Sequence, residues 1–243
     1  EVNYWCAEEA TYDCTDERTL SAITVYRRGN GRCGEESVFT VNAMRSVGIP
    51  ARQVYAPRWS HCDDNHAWVE VWCEGDWYFL GACEPLPILN KGWFTNASSR
   101  AMMVHSRCFD TTGFDEENID REGMVAVFNE LKRYAAVKKI QVQVVDGEKN
   151  PVSGAKVYFE VLNYSEFSPV AEAKTDENGS VSLTTGLGSL HIMAVYGDKC
   201  AETYMDTRNS DTCVVSFAET EVRETWQEMD MIAPVDTPVN TDT

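Results

Sequence analysis

The 243-residue chain has no long hydrophobic run and little positive charge. No apolar stretch approaches the roughly 20 residues that a membrane-spanning helix needs, so we expect no membrane span. No secretory signal peptide is recognisable. Only 21 Lys and Arg residues stand against 39 Asp and Glu, which gives a formal net charge of -18. This charge argues against nucleic acid and anionic membrane surfaces as partners.

Several common functional motifs are absent as well. The chain has no Gly-rich phosphate loop, no G-x-S-x-G elbow and no EF-hand loop. It also has no C-x2-C pair, and two of its potential metal ligands, His66 and Cys73, lie on opposite faces of one predicted strand. The other nearby candidates are His61, Cys62 and Cys83. We therefore expect neither a metal nor another cofactor.

Cysteine, in contrast, is plentiful, with nine residues. An odd number leaves at least one thiol free if the others pair. The spacing offers Cys6 with Cys14, and Cys200 with Cys213, as local disulfide candidates. The alternative is that most of them are reduced, small apolar residues.

Two helices and a strand are predicted before residue 57. The segment "TDERTLSAITVYRR" favours a helix capped by Thr15 or Asp16. The segment "CGEESVFTVNAMRSVGIP" has apolar residues at helical spacing and ends with Gly48 and Pro50. The segment "ARQVYAP" that follows is typical of a strand.

Strand patterns dominate the remainder. Alternation in "HAWVEVWCEGDWYFLGAC" predicts a hairpin that turns at Gly75-Asp76. The segment "NIDREGMVAVFNELKRYAAV" favours a partly helical structure. From Lys138, short strands separated by turn clusters indicate a β-sandwich. We predict domains at 1–137 and 138–218, followed by an acidic tail or linker at 219–243.

The stretch "GRCGEES" places a thiol at the start of a predicted helix, a position that favours a reactive thiolate. Cys33 begins the second predicted helix, where free backbone N–H groups and the helix dipole stabilise a thiolate or a developing oxyanion. Gly31 and Gly34 would let a substrate approach the backbone closely. The alternative is a buried structural cysteine in a tight turn.

A histidine further along the chain strengthens the catalytic interpretation. His66 begins the strand "HAWVEVW", and a strand packed on the Cys33 helix can present an imidazole to the sulfur. Such a pair supplies a thiolate–imidazolium nucleophile and a general acid. Trp59, in the preceding loop, is a candidate for a cleft wall. Asp64 is a candidate for binding a cationic substrate group, or for capping the strand entry.

The motifs "GRCGEES", "SVGIPARQVYAP", "DDNHAWVEVW" and "GDWYFLGACEP" resemble the transglutaminase-like superfamily over about residues 15 to 95. This resemblance implies an α+β fold with a papain-like core, in which the Cys helix packs on an antiparallel sheet. Residues 138–218 resemble the carboxypeptidase-regulatory or prealbumin-like, Ig-like all-β sandwiches of bacterial surface proteins. A secreted or cell-surface location follows from that second resemblance.

One position departs from the family pattern. The orienting acid is expected on the second hairpin strand, where this chain has Gly81. Glu84 is our candidate for that role, if a bulge or longer loop shifts the strand register by one residue. Glu70, a backbone carbonyl or a water are the alternatives.

The resemblance implies cysteine-dependent acyl transfer at amide or peptide bonds through a thioester. We expect Cys33, His66 and Glu84 to form the catalytic group. We expect the activity to be hydrolysis of a peptide or protein substrate, with the cell envelope as a candidate source of that substrate. The alternatives are protein-glutamine cross-linking and an inactive module that binds a peptide or glycan. The sequence leaves the oligomeric state open.

Overall fold

The computed structural model describes residues 1–14, 19–109 and 116–218. Their regular secondary structure is mostly β-strand, with few helices. They divide into two compact units, one containing residues 1–56 and 65–96 and the other residues 57–64 and 97–218. The predicted tail at 219–243 lies outside the described residues.

The first unit combines three helices with an antiparallel three-stranded array. The array has the order β5-β4-β3, and β1 pairs with β2 in parallel. The elements are α1 (Val2–Glu9), β1 (Thr11–Tyr12), α2 (Ala22–Arg28), β2 (Asn30–Gly31), α3 (Cys33–Ser46), β3 (Ala51–Ala56), β4 (His66–Cys73) and β5 (Asp76–Leu80).

The predicted second helix is confirmed as α3. Its apolar face packs against β3 and β4 through Val41 and Met44, in one buried cluster with Ala51 and Val69. Gly48 ends the segment with a φ of +83°, a conformation that favours glycine. The predicted first helix is shorter than expected. α2 begins at Ala22, and the proposed caps at positions 15 and 16 lie outside the described residues.

The predicted hairpin is confirmed, but its turn lies one residue earlier than expected. Cys73 pairs with Asp76, so the two-residue loop is Glu74-Gly75, with φ values of +50° and +89°. Positive φ at both loop positions is the requirement of a type I′ turn, which matches the twist of the strands. The predicted Gly75-Asp76 turn is therefore wrong.

The second unit begins with strands that the sequence did not indicate. The segment predicted to be partly helical forms a hairpin, and its only helical part is a 3-10 turn at Leu131–Arg133. Gly123, with a φ of +61°, makes the turn between the two strands. The elements before residue 137 are α4 (Thr95–Ser98), which spans the border between the units, β6 (His105–Cys108), β7 (Glu117–Glu122) and β8 (Val125–Asn129).

The predicted C-terminal strands form two sheets around one core. One sheet has the order β11-β10-β13-β14 and the other the order β12-β9-β15. Ile140, Phe159, Leu183 and Ile192 are among the fully or almost fully buried residues that both sheets contribute to this core. The strands are β9 (Val137–Val145), β10 (Lys156–Asn163), β11 (Glu166–Lys174), β12 (Ser180–Gly186), β13 (Ser189–Tyr196), β14 (Lys199–Asp206) and β15 (Thr212–Ser216).

The predicted domain boundary stays a prediction. Residues 97–137, which the sequence assigns to the first domain, belong to the same compact unit as the C-terminal strands. Across the described part of the chain, no helix has the length and apolar character needed to cross a membrane. All nine cysteines are described and all are free thiols, so neither candidate disulfide is formed.

Candidate active site

Cys33 is the first residue of α3, as the sequence predicts, and its side chain is partly exposed. The helix start is held by Glu35, whose buried carboxylate accepts hydrogen bonds from the backbone N–H groups of Arg32 at 2.8 Å and Leu20 at 3.3 Å. The Gln53 side chain on β3 donates to the Gly34 carbonyl at 2.8 Å. These bonds attach the end of the helix that carries the thiol to the strand array.

The two glycines around Cys33 differ in their surroundings. A Cβ at Gly31 would lie 3.0 Å from the Cβ of Glu35, so a larger residue would press on the side chain that caps α3. A Cβ at Gly34 would have only the Gln53 amide within 4 Å, at 3.9 Å. The structure therefore gives Gly31 a packing role and leaves space beside Gly34. Their predicted role in substrate approach stays a prediction.

His66 is the first residue of β4 and is buried in an aromatic environment. Its ring centroid lies 4.7 Å from Trp93, 4.8 Å from Phe94 and 5.6 Å from Trp68, on which it stacks with an interplanar angle of 24°. Burial lowers the pKa of His66 to about 4. Nε2 has no hydrogen-bond partner among the described residues. The imidazole is therefore neutral at pH 7 in this structure, and not the resting imidazolium that the sequence analysis expects.

Glu84 lies on the same side of the sheet as His66, but not because of the register shift that the sequence analysis considered. The pairing of Val69 with Leu80 places Gly81 on the same face as His66. The chain then reverses in a tight turn of residues 81–84, where Gly81 and Glu84 form an antiparallel bridge and Cys83 adopts a φ of +56°. No register shift is involved, because the turn itself brings Glu84 back beside Gly81.

The carboxylate of Glu84 occupies the space of the missing side chain at position 81. A Cβ built on Gly81 would lie 2.5 Å from Glu84 Oε2. The turn is held by Asn3 of α1, which donates to the Gly81 carbonyl at 2.8 Å and accepts from the Cys83 N–H at 3.0 Å. Glycine at position 81 is thus required for Glu84 to lie where it does.

Glu84 does not hydrogen-bond His66. Both of its carboxylate oxygens accept the indole N–H of Trp93, each at 3.1 Å, and the Trp93 ring in turn contacts the His66 ring. Burial raises the pKa of Glu84, and the bond from Trp93 opposes this shift. The predicted role of Glu84 as the orienting acid stays a prediction, with Trp93 between it and the imidazole.

A second buried carboxyl accompanies Glu84. Burial, then the nearby charges of Glu84 and Glu35, raise the pKa of Glu36 to about 8. Two adjacent carboxylates in a poorly solvated place disfavour double ionisation, so Glu36 keeps its proton at neutral pH.

The remaining candidates lie elsewhere. Glu70, an alternative for the orienting acid, binds Arg52 at 2.7 Å, and both side chains are buried. Trp59 and Asp64 belong to the second compact unit, where their backbone carbonyls lie 3.0 and 3.1 Å from the amide nitrogen of Asn163. Their predicted positions in the substrate cleft stay predictions.

The structure thus links Glu84 to His66 through Trp93, and holds the Cys33 helix on β3, the neighbour of β4. The direct pairing of Cys33 with His66 stays a prediction. Sequence reasoning missed Trp93, for which the sequence carries no signal beyond an aromatic residue close after the hairpin. In the described part of the chain, no group of three or more His, Cys, Asp or Glu residues is arranged to hold a metal ion.

Residues 1–82 match the family model of the transglutaminase-like superfamily. Members of this superfamily are generally cysteine proteases or acyltransferases. A comparison with curated proteins finds no match.

Three solved structures that are similar to parts of the chain are described as different kinds of protein. A proposed cysteine protease from Cytophaga hutchinsonii is 16% identical over 53% of this chain and 50% of its own, with a TM-score of 0.31. A streptococcal ancillary pilin is 11% identical over 68% and 61%, with a TM-score of 0.28. The transglutaminase of red sea bream is 9% identical over 86% and 50%, with a TM-score of 0.29. The chain thus spans less than two thirds of the length of each.

Proposed function

From the match of residues 1–82 to the transglutaminase-like superfamily, we propose that this chain catalyses cysteine-dependent acyl transfer at amide or peptide bonds, with water as the usual acceptor. The observation that carries the proposal is the position of Cys33 at the first residue of α3, a helix packed on β4, which itself begins at His66. Both candidate groups thus lie at element starts of one compact unit.

In the proposed reaction, the Cys33 sulfur attacks the carbonyl carbon of the amide while the neutral His66 imidazole takes the thiol proton. The thiolate and the imidazolium stabilise each other, which offsets the burial that otherwise disfavours a charged ring. His66 then gives the proton to the leaving nitrogen, so that ammonia or an amine departs and a thioester remains. Water, deprotonated by the same imidazole, hydrolyses the thioester and restores the thiol.

Two structural features support this chemistry. The start of α3 presents backbone N–H groups that suit the oxyanion of the tetrahedral intermediate. The Glu84 carboxylate, in the side-chain space of position 81, supplies negative charge on the histidine's face of the sheet. Glu84 is the proposed acid of the catalytic group, with Cys33 as nucleophile and His66 as base.

The finer architecture and the setting are also part of the proposal. The first unit corresponds to a papain-like core and the C-terminal strands to an Ig-like sandwich, with a domain boundary near residue 137. The proposed substrate is a peptide or protein, with those of a cell envelope as candidates, and the proposed location is secreted or at the cell surface. Gly31, Gly34, Trp59 and Asp64 are proposed to line the substrate cleft.

The test is turnover of glutamine-containing peptides in water enriched in oxygen-18, with and without a primary amine, followed by mass spectrometry. Hydrolysis incorporates the heavy oxygen, whereas cross-linking chemistry yields the amine adduct. Ammonia release indicates a carboxamide substrate, and new amino termini indicate peptide cleavage. Cys33→Ser is expected to abolish every product, while Cys14→Ser, an exposed thiol of the same unit, leaves them unchanged.

A non-catalytic binding module is the second candidate, and the surroundings of His66 favour it. His66 is neutral, its Nε2 has no partner among the described residues, and Glu84 bonds to Trp93 instead. An absence of turnover, together with a Cys33 alkylation rate by iodoacetamide that His66→Ala leaves unchanged, would overturn the catalytic proposal in favour of the module.

A further inference from the structure

Trp93 contacts two of the three side chains of the proposed catalytic group, His66 and Glu84. Its indole Nε1 lies 3.1 Å from each oxygen of Glu84, so that one N–H donates a bifurcated hydrogen bond to both oxygens of the carboxylate. Its ring centroid lies 4.7 Å from that of His66, at an interplanar angle of 55°. Although 57% of Trp93 is exposed, its polar and aromatic parts thus contact different members of the site.

The other neighbours of His66 are aromatic as well. Phe94 lies 4.8 Å away and packs edge-on against Trp93 at 5.8 Å, and Trp68 stacks on the histidine from within β4. A Cβ at Gly92 would lie 2.7 Å from the Phe94 ring, so glycine is needed there for the 92–94 segment to fold over the histidine. Among the described residues, the imidazole therefore contacts three aromatic rings, and its Nε2 has no hydrogen-bond partner.

These aromatic contacts have a direct electrostatic consequence. A cation over an aromatic ring within about 6 Å of its centroid is attracted by the ring quadrupole, most strongly for tryptophan. An indole that donates its N–H to a carboxylate is polarised, and its ring becomes more electron-rich. A carboxylate on the far side of the indole thus increases the attraction between the ring and an imidazolium.

We propose that Trp93 is a positioning residue that transmits the effect of the Glu84 carboxylate to His66, in place of a direct acid–imidazole hydrogen bond. The inference rests on the proposed function, because its catalytic benefit appears only when His66 becomes an imidazolium during acyl transfer. In the resting protein the indole fixes the carboxylate and covers the neutral imidazole. In the reaction it stabilises the charged ring.

The ionisable groups around this arrangement lie on two elements. Glu84 lies on the 81–84 turn and Glu36 on α3, and the charge of the former raises the pKa of the latter. Cys33, which the proposal places beside His66, begins α3. Burial is the cause of the lowered pKa of His66, so loss of the covering ring should raise this pKa.

The experiment measures the pKa of His66 by NMR of the isotope-labelled full chain, with peptide turnover measured alongside. Trp93→Leu removes the ring and is expected to raise the pKa of His66 from about 4 toward 6.5. Trp93→Phe keeps a covering ring but loses the N–H that binds Glu84, so the imidazolium is less stabilised; we expect the pKa of His66 to fall below the wild-type value while kcat falls roughly tenfold or more. Trp72→Phe, on an exposed edge-on tryptophan of the same unit, is the matched control and should change neither.

A double-mutant cycle separates positioning from a merely structural role. Glu84→Gln and Trp93→Phe weaken the same bond, so the double variant should lose no more activity than the more impaired single variant. Additive losses, an unchanged pKa of His66 in Trp93→Leu, or a pKa of His66 in Trp93→Phe that is not below the wild-type value would each overturn the inference. Because the NMR measurement needs no turnover, an inactive wild type would overturn the proposed function while the pKa still decides whether Trp93 covers His66.

Discussion

Replacing Glu36 by glutamine should stabilise the protein at neutral pH, although most substitutions at buried positions destabilise a protein. The folded state raises the pKa of this carboxyl from 4.5 to about 8. Between these values the unfolded chain releases a proton that the folded protein keeps. The free energy of unfolding therefore decreases as the pH rises through this window. The stability is fully present below pH 4.5 and is lost as the pH approaches 8.

The magnitude follows from proton linkage. Each pH unit in the window costs about 1.4 kcal/mol, so the 2.5 units between pH 4.5 and pH 7 amount to about 3 kcal/mol. Glutamine has the shape of the protonated carboxyl and no proton to release. The free energy of unfolding of Glu36→Gln should therefore match that of the wild type near pH 4.5 and exceed it by up to about 3 kcal/mol at pH 7.

The assay is urea unfolding of the full chain at pH 5, 6, 7 and 8, followed by tryptophan fluorescence. Trp5, Trp68, Trp72, Trp77 and Trp93 all belong to the first compact unit, so the signal reports mainly on the unit that contains Glu36. Titration of other groups affects both proteins alike and cancels in their difference.

A matched control uses an exposed acid of the same unit. Glu8→Gln should show a pH-independent difference from the wild type, within about 0.5 kcal/mol. A difference between Glu36→Gln and the wild type that stays constant from pH 5 to pH 8, or that favours the wild type at pH 7, would refute the reasoning that burial and the neighbouring carboxylates keep Glu36 protonated.

Three further predictions concern neighbouring positions. The pKa of His66 falls from 6.5 to about 4 on folding, so the free energy of unfolding should fall by about 3 kcal/mol as the pH is lowered between these values. In the same urea assay, His66→Gln should lose this pH dependence. A pH dependence of stability equal to that of the wild type would contradict the prediction. Glu70→Ala leaves the buried Arg52 charge without its carboxylate and should cost about 3–5 kcal/mol, visible as a lower thermal midpoint, whereas a loss under about 1 kcal/mol would show that the pair is dispensable. Gly81→Ala places a Cβ 2.5 Å from Glu84 Oε2 and should reduce peptide turnover roughly tenfold by displacing the carboxylate; full activity in a folded variant would exclude Glu84 from the reaction.

Local patterns in the sequence determined much of the first unit. The helical spacing of apolar residues and the terminal glycine were enough to place α3 with Cys33 at its start, because both signals act within a few residues of chain. Period-two alternation likewise located the hairpin and put His66 at the start of β4. The segment 118–137 shows the limit of such patterns, since its apolar residues fit either period and its strands depend on pairing with each other.

Only the tertiary structure decided how the acid reaches the site. A register count from the sequence directs Glu84 away from His66, because it assumes that the strand continues past Leu80. The strand ends there instead, since Asn3, 78 residues earlier, binds the backbone of the turn that reverses the chain. The protonated state of Glu36 and the contact between Trp93 and His66 have the same origin. Each depends on the proximity and burial of side chains that are distant in sequence, and these are properties of the folded chain.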